Sequence, residues 1–78
     1  MRKTLRSRTH QALIAVLVGT RKEKGLTQRD LAKRMGKHYT FVSKTETGER
    51  RLDLGEFVEI AKALRMDPVA LFSRVVKW

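Results

Sequence analysis

The 78-residue chain contains no cysteine, one proline and two histidines. Without cysteine it has neither a disulfide framework nor a thiolate metal ligand, and nothing points outside a reducing cytoplasm. The histidines, His10 and His38, lie too far apart to form a zinc site together. The sequence also lacks a convergent pair of carboxylates with a nucleophile and a phosphate-binding glycine loop. It therefore predicts no metal, no cofactor and no enzymatic activity.

Long apolar runs are absent as well. The longest, ALIAVLVG at residues 12–19, is far shorter than the roughly 20 residues that a membrane-spanning helix needs. A basic start before such a run is typical of a secretory signal, but this run leads into TRKEKGLTQ without a small-residue cleavage pattern. The sequence therefore predicts a cytoplasmic protein without a membrane partner.

Acidic residues are scarce in the first half of the chain. The net charge is +10, and residues 1–37 hold 11 Lys/Arg against only Glu23 and Asp30. Residues 38–78 are nearly balanced, with 7 Lys/Arg against 6 Asp/Glu. So uneven a distribution of positive charge favours binding to a polyanion, and nucleic acid is the commonest polyanion. The alternative is a basic protein that its charge merely keeps in solution.

What the sequence does contain is a series of helix signals and no clear strand pattern. A basic arm over residues 1–8 precedes one all-α domain over residues 9–78, and its first helix ends at Gly25. Thr27 with Asp30 predicts the cap of a second helix, Asp53 with Glu56 that of a fourth, and Asp67 before Pro68 that of a fifth. Between Gly36 and Gly48 a third helix is predicted, from about Tyr39 to Thr47. The expected core stripes include Leu13, Leu17, Thr20, Leu31, Ala32, Met35, Leu54, Phe57, Val58, Ala61, Leu64, Val69, Leu71, Phe72 and Val75.

The second and third helices carry the most specific spacing. Two helices cross steeply only where the residues at the crossing are small, and the turn between them needs a residue that accepts positive φ. Counting from Gln28, the small Ala32 is fifth, Gly36 is ninth and the apolar Val42 is fifteenth. This is the spacing of a DNA-binding helix-turn-helix.

Several further segments extend the pattern: RKEKGLTQRDLA at 21–32, MG at 35–36, FVSK at 41–44, ETGER at 46–50 and ALRMDP at 63–68. From about residue 13 to residue 72 the chain resembles the lambda-repressor-like helix-turn-helix family, the Cro/XRE group of phage and bacterial regulators. The resemblance implies a compact five-helix lambda-repressor-like domain with the helix-turn-helix at helices 2 and 3. It also implies a homodimer whose third helix enters the major groove.

With Val42 facing the core, steps of about 100° per residue place part of the third helix outward. We expect this face to read base edges, with Lys44 donating to guanine and hydroxyls bonding to several bases. The predicted base-reading residues are Tyr39, Thr40, Ser43 and Lys44. A merely solvated helix face is the alternative.

Phosphate contacts are predicted around this face. Gln28 begins the second helix, where backbone N–H groups favour an anion, and in relatives a Gln here commonly holds the DNA backbone. The predicted phosphate-binding residues are Gln28, Lys37, His38, Thr47, Arg50 and Arg51. For each, an ordinary surface position is the alternative.

The resemblance also implies a structural ion pair between Arg21 and Glu46, which would orient the third helix. Three positions depart from the family. Lys37 replaces a usually apolar residue, His38 replaces a Ser or Thr cap, and Thr45 replaces an Ile or Leu. We therefore expect a lost cap at His38, at a cost of about 1 kcal/mol, and a buried Thr45 hydroxyl that must find a partner.

The two ends leave alternatives open. The basic arm (Arg2, Lys3, Arg6 and Arg8) either follows the groove beside the recognition helix or is a frayed terminus. Ile14, Val16 and Val18, with Val75, Val76 and Trp78 of the tail at 73–78, either form a dimer contact or pack within their own chain.

The sequence thus predicts a sequence-specific double-stranded DNA-binding transcription regulator, a repressor or autoregulator, that binds a palindromic operator as a homodimer. A restriction–modification controller protein is a narrower version. An antitoxin-type module that binds a toxin and autoregulates is the alternative, and RNA polymerase is a further conceivable protein partner.

Overall fold

The computed structural model describes residues 7–78, and that part of the chain folds into five α-helices. They are α1 (Arg8–Glu23), α2 (Gln28–Met35), α3 (Tyr39–Thr47), α4 (Leu54–Ala63) and α5 (Pro68–Val76). Helix α1 packs against α3 and α5, α2 packs against α3 and α4, and α4 packs against α5. The predicted all-α, five-helix architecture is confirmed.

The helix ends follow the sequence signals. Thr27 and Asp30 form a complete capping box at α2, Asp53 and Glu56 form another at α4, and Pro68 is the first residue of α5. Gly36 and Gly48 end α2 and α3 at φ 69° and 84°, in the left-handed region that side chains with a Cβ rarely adopt. These local signals fix where each helix starts and stops.

One core holds the helices together. Its most buried members come from all five helices, or from the residue that ends one: Ala12, Val16, Leu17, Leu31, Ala32, Val42, Phe57, Ile60, Ala61, Leu64, Leu71 and Val75. Leu64 and Leu71 are completely buried. The core therefore fixes the angle at which α2 and α3 meet.

Several residues lie elsewhere than predicted. Leu54, Val69 and Phe72 were expected in core stripes, but their side chains are exposed, with Leu54 and Val69 each 74% exposed. Val16 and Val75, for which the sequence left open either a contact between copies or packing within the chain, are buried in their own chain, and Val75 was also expected in a core stripe. Helical periodicity identifies the apolar face of a helix but not how much of that face a neighbouring helix covers. In α4 and α5 the neighbouring helices cover only part of it.

Candidate nucleic-acid interface

The angle between α2 and α3 depends on three small or apolar residues. Ala32 and Val42 are 1% and 2% exposed, and Gly36 makes the turn at φ 69°. Because Ala32 has only a methyl group, the two helices approach closely. The predicted helix-turn-helix is therefore present, and the side of α3 opposite Val42 faces away from the core.

That outward face carries three of the predicted base-reading residues, Thr40, Ser43 and Lys44, whereas the fourth, Tyr39, packs partly against the core. Lys44 is exposed, while Tyr39, Thr40 and Ser43 are half-buried. Ser43 donates its hydroxyl hydrogen to the Thr40 carbonyl at 3.4 Å, as Thr47 does to the Lys44 carbonyl at 3.1 Å. These hydroxyls are held against their own helix and present acceptor lone pairs outward. The face thus offers one cation and several hydroxyls within two turns of helix.

The expectation of a lost cap at the start of α3 is wrong. His38 is the N-cap, and its Nδ1 accepts a hydrogen bond from the Thr40 backbone N–H at 3.3 Å. The imidazole nitrogen does what a Ser or Thr oxygen does in relatives. The same nitrogen lies 3.0 Å from the Thr40 hydroxyl oxygen, so Nδ1 is occupied within the protein and Nε2 is the ring nitrogen left for a contact outside it.

The end of α3 is tied to α1 and α2 through Glu46. Arg21 donates from Nε to Glu46 Oε2 at 2.7 Å and from Nη2 to Oε1 at 3.0 Å, the pairing that the sequence predicts. Gln28 donates from Nε2 to Glu46 Oε1 at 2.9 Å. The Arg21 and Glu46 side chains are 9% and 7% exposed. One amide hydrogen of Gln28 is therefore already used within the protein, and its second N–H is the one left for a phosphate.

Two cations flank the Phe41 ring. The Lys37 Nζ lies 5.0 Å from the ring centroid and the Arg50 Cζ lies 4.4 Å from it. Arg50 also donates twice to Glu56, at 3.0 and 2.9 Å. This pairing lowers the pKa of Glu56, with help from the Asp53 backbone N–H, and raises the pKa of Arg50. Of the predicted phosphate donors here, Lys37 and Arg51 are exposed. The Arg50 guanidinium already contacts the Phe41 ring through its face and Glu56 through its N–H groups.

Of the four residues predicted for the basic arm, Arg8 belongs to the part of the chain that the structure describes. Arg2, Lys3 and Arg6 lie outside the described residues. Arg8, which the sequence assigned to the arm, is the exposed first residue of α1, and Ser7 caps that helix by accepting from the His10 backbone N–H. Helix α1 therefore includes Arg8, the last residue that the sequence assigned to the arm.

Sequence reasoning missed one cation that lies against the helix-turn-helix. Arg29, in the first turn of α2, places its guanidinium carbon 4.0 Å from the centroid of the Tyr39 ring. The His38 ring lies against the same tyrosine, with centroids 5.0 Å apart. A basic residue next to Gln28 was the available signal, but its partner is ten positions away and only the packing of α2 on α3 joins them.

The described residues contain no group of three or more His, Cys, Asp or Glu that could hold a metal ion. Over the same stretch, none of the helices combines the length and the apolar character needed to cross a bilayer.

Comparisons with known proteins agree with this geometry. A family model described as helix-turn-helix matches residues 20–71, while no curated protein matches the sequence. Among solved structures, an XRE-family-like protein from Pseudomonas syringae pv. tomato str. DC3000 is 42% identical, with a TM-score of 0.87 over 97% of this chain and 93% of the other.

Two other solved structures extend the likeness. The restriction–modification controller protein C.Esp1396I is 31% identical, with a TM-score of 0.84 over 91% of each chain. The clp gene regulator ClgR from C. glutamicum shares the fold at 23% identity, with a TM-score of 0.79 over 88% of this chain and 90% of the other.

Proposed function

This chain belongs to the XRE-type helix-turn-helix family of DNA-binding transcription regulators, and we propose that it is a sequence-specific regulator acting as a homodimer on a palindromic operator. The observation that carries the proposal is the outward face of α3. There an exposed Lys44 stands among hydroxyls, on a helix fixed by buried Val42 and by the Arg21–Glu46 pair.

In this proposal Thr40 and Lys44 lie at the centre of base reading, with Ser43 beside them. Tyr39 stands at the start of the same helix. Phosphate contacts from the surrounding donors hold the register without reading sequence. They come from the N-terminus of α2 (Gln28), the turn (Lys37 and His38) and the region after α3 (Thr47, Arg50 and Arg51). The basic arm (Arg2, Lys3, Arg6 and Arg8) adds charge along the DNA. The cytoplasm, at the nucleoid, is where such a protein would act.

An apolar surface on the α4–α5 side is the proposed dimer contact. Leu54, Val69 and Phe72 are exposed there, next to a hollow of about 320 Å³ whose wall includes Leu13, Leu52 and Phe57. A small basic monomer gains no stability from leaving such a surface in water. Two copies joined through it could place their α3 helices one DNA turn, roughly 34 Å, apart.

A controller of a restriction–modification system is a narrower candidate, favoured by the 31% identity to C.Esp1396I over 91% of the chain. An operator upstream of its own gene and of a neighbouring nuclease gene would support this version, and an operator elsewhere would remove it.

The proposal is tested by selecting bound sequences from random duplex DNA at two salt concentrations. We expect a palindrome whose preference persists as affinity falls with salt. Lys44→Ala should relax the preference at one base pair per half-site, by about 1–3 kcal/mol of discrimination. The matched control is Lys62→Ala, which removes an exposed lysine from α4 and should leave the preference intact.

Binding without any recovered sequence, and lost at high salt, would contradict base reading by α3. Relaxation by both lysine variants to the same extent would show that charge alone, and not the position of Lys44, governs the preference.

A further inference from the structure

The first turn of α2 and the first residue of α3 are joined by a stack of side chains. The Arg29 guanidinium carbon lies 4.0 Å from the centroid of the Tyr39 ring, and the His38 ring lies against the same tyrosine at 5.0 Å. Tyr39 is half-buried against the core, whereas Arg29 is exposed. The exposed Arg29 guanidinium is thus positioned by the Tyr39 ring, which is itself packed against the core.

The contacts of Arg29 differ from those of the arginines that form hydrogen bonds within this domain. Arg21, Arg34, Arg50 and Arg74 each donate hydrogen bonds to a carboxylate or a carbonyl within the protein. Among residues 7–78, Arg29 has no ion-pair partner and its guanidinium donates no hydrogen bond. Its contact is to an aromatic face only.

This difference has a chemical consequence. A guanidinium that lies over an aromatic ring uses its flat face for the contact and keeps the N–H groups at its edge. Those N–H groups form a fork that matches two oxygens of one phosphate. The Arg29 side chain is therefore already oriented, and its N–H groups make no hydrogen bond within the described residues. Because the side chain is ordered before binding, it loses less conformational entropy when a phosphate binds.

We propose that Arg29 binds a phosphate of the operator and that Tyr39 is the residue that positions it. The inference rests on the proposed function, because it takes α3 as the helix in the major groove. In that arrangement the first helix of the motif crosses the DNA backbone, and Arg29 stands in the first turn of α2 beside Gln28. Tyr39 then contributes through the face of its ring rather than by reading a base with its hydroxyl.

The test for Arg29 measures the affinity of the full chain for its selected operator and for a scrambled duplex over a range of salt. Arg29→Gln should weaken both complexes by a similar factor and reduce the magnitude of the slope of log K against log salt by about 0.9. Arg34→Gln is the matched control, since Arg34 lies on the same helix but is turned toward α4, where it donates to the Ala63 carbonyl. It should leave the slope unchanged.

A double-mutant cycle tests the role of Tyr39. Tyr39→Phe keeps the ring and should therefore keep the salt slope of the wild type. Tyr39→Leu removes the ring and should weaken binding by about two- to five-fold, the strength of an exposed cation–π contact. In the Arg29→Gln background, Tyr39→Leu should have no further effect on affinity. Circular dichroism of each variant establishes that it is folded.

Several outcomes would overturn the inference. An unchanged salt slope in Arg29→Gln removes the phosphate contact. Loss confined to the operator, with relaxed preference at one base pair, would make Arg29 a base reader instead. A changed sequence preference in Tyr39→Phe would mean that the hydroxyl reads DNA directly.

The proposed function fails separately. If the wild type selects no sequence, both proposals are wrong, whereas an unaltered Arg29→Gln variant of a selective wild type removes only the role of Arg29.

Discussion

At the scale of single residues, the buried Arg21–Glu46 pair is the most consequential interaction. The two side chains are 9% and 7% exposed and are joined by two hydrogen bonds of 2.7 and 3.0 Å. Arg21 also donates to the Leu26 carbonyl at 2.8 Å, within the α1–α2 connection. A pair this deep adds little net stability by itself, but either partner left alone is a buried charge.

We therefore expect Arg21→Met and Glu46→Met each to lower the free energy of unfolding by about 3 kcal/mol or more. The double variant should lose clearly less than the sum of the two, because no unpaired charge is left. Denaturant unfolding followed by circular dichroism measures all four free energies. Additive losses would show that the two charges do not interact.

Two other residues show how a side chain can satisfy a backbone group unexpectedly. Thr45 is buried, and its hydroxyl donates to the Phe41 carbonyl at 2.7 Å. This carbonyl is the hydrogen-bond partner that we expected a buried Thr45 hydroxyl to need. His38 caps α3 with a ring nitrogen. Both departures from the family pattern are therefore accommodated within α3 itself.

At the scale of elements, the start of α4 is fixed by charge as well as by its capping box. Glu56 accepts from the Asp53 backbone N–H at 3.1 Å and from both terminal nitrogens of Arg50. Arg50 first, and the Asp53 N–H second, hold the pKa of Glu56 below its ordinary value. Since Arg50 follows α3 and Glu56 belongs to α4, this bond links the recognition helix to the helix next to the apolar surface.

The lowered pKa makes part of the stability depend on pH. A carboxyl group whose pKa is lower in the folded state contributes stability that is present above its unfolded pKa and lost as pH falls through the folded value. Between about pH 5 and pH 3, wild-type protein should therefore lose more unfolding free energy than Glu56→Gln does. Denaturant titrations at several pH values measure this difference.

Glu59→Gln is the control for that comparison, because Glu59 is an exposed glutamate of the same helix. It should show the same acid dependence as the wild type. If Glu56→Gln also follows the wild-type profile, the Arg50–Glu56 bond has no influence on stability in solution.

At the scale of the whole molecule, charge and apolar surface have separate places. The net charge of +10 is carried mainly by residues 1–37, which include α1, α2 and the turn before the recognition helix. Among residues 7–78, the large apolar side chains that are exposed all lie in α4, in α5 or just after it: Leu54, Val69, Phe72, Val76 and Trp78. One part of the molecule is thus suited to a polyanion, and another to a second copy.

The dimer proposal is checked with charges placed on the apolar surface. Leu54→Glu and Val69→Glu each put an acidic residue in the first turn of a helix, where the helix dipole favours it, so folding should be kept. A charge in a buried contact is costly, and both variants should sediment as monomers at concentrations where the wild type is a dimer. Operator affinity should fall with the dimer.

The tail supplies the comparison. Val76→Ser and Trp78→Ser alter exposed residues beyond the core, whereas a cut after Ser73 would also remove Val75, which is only 7% exposed. Dimers that resist both glutamate variants but dissociate with the tail variants would move the contact to residues 76–78. Dimers that resist all four would exclude both surfaces.

Much of this architecture follows from the sequence alone. The helix ends are predicted by local chemistry, since a cap such as Thr27 with Asp30, or a glycine such as Gly36, acts within a few residues. The spacing of Ala32, Gly36 and Val42 identifies the helix-turn-helix because sterics at one crossing fix it. The resemblance that these residues carry is confirmed by the family match over residues 20–71.

Other features were decided only when the helices packed. Periodicity placed Leu54 and Val69 in the same predicted stripes as Leu64 and Leu71, and it could not tell that the first two lie outside the core, because burial depends on which face a neighbouring helix covers. Nor could it show Arg29 over Tyr39 or Arg50 between Phe41 and Glu56. Local signals determined where the helices are, whereas contacts between different helices, which no short-range rule encodes, determined which side chains remain available to DNA and to a second copy.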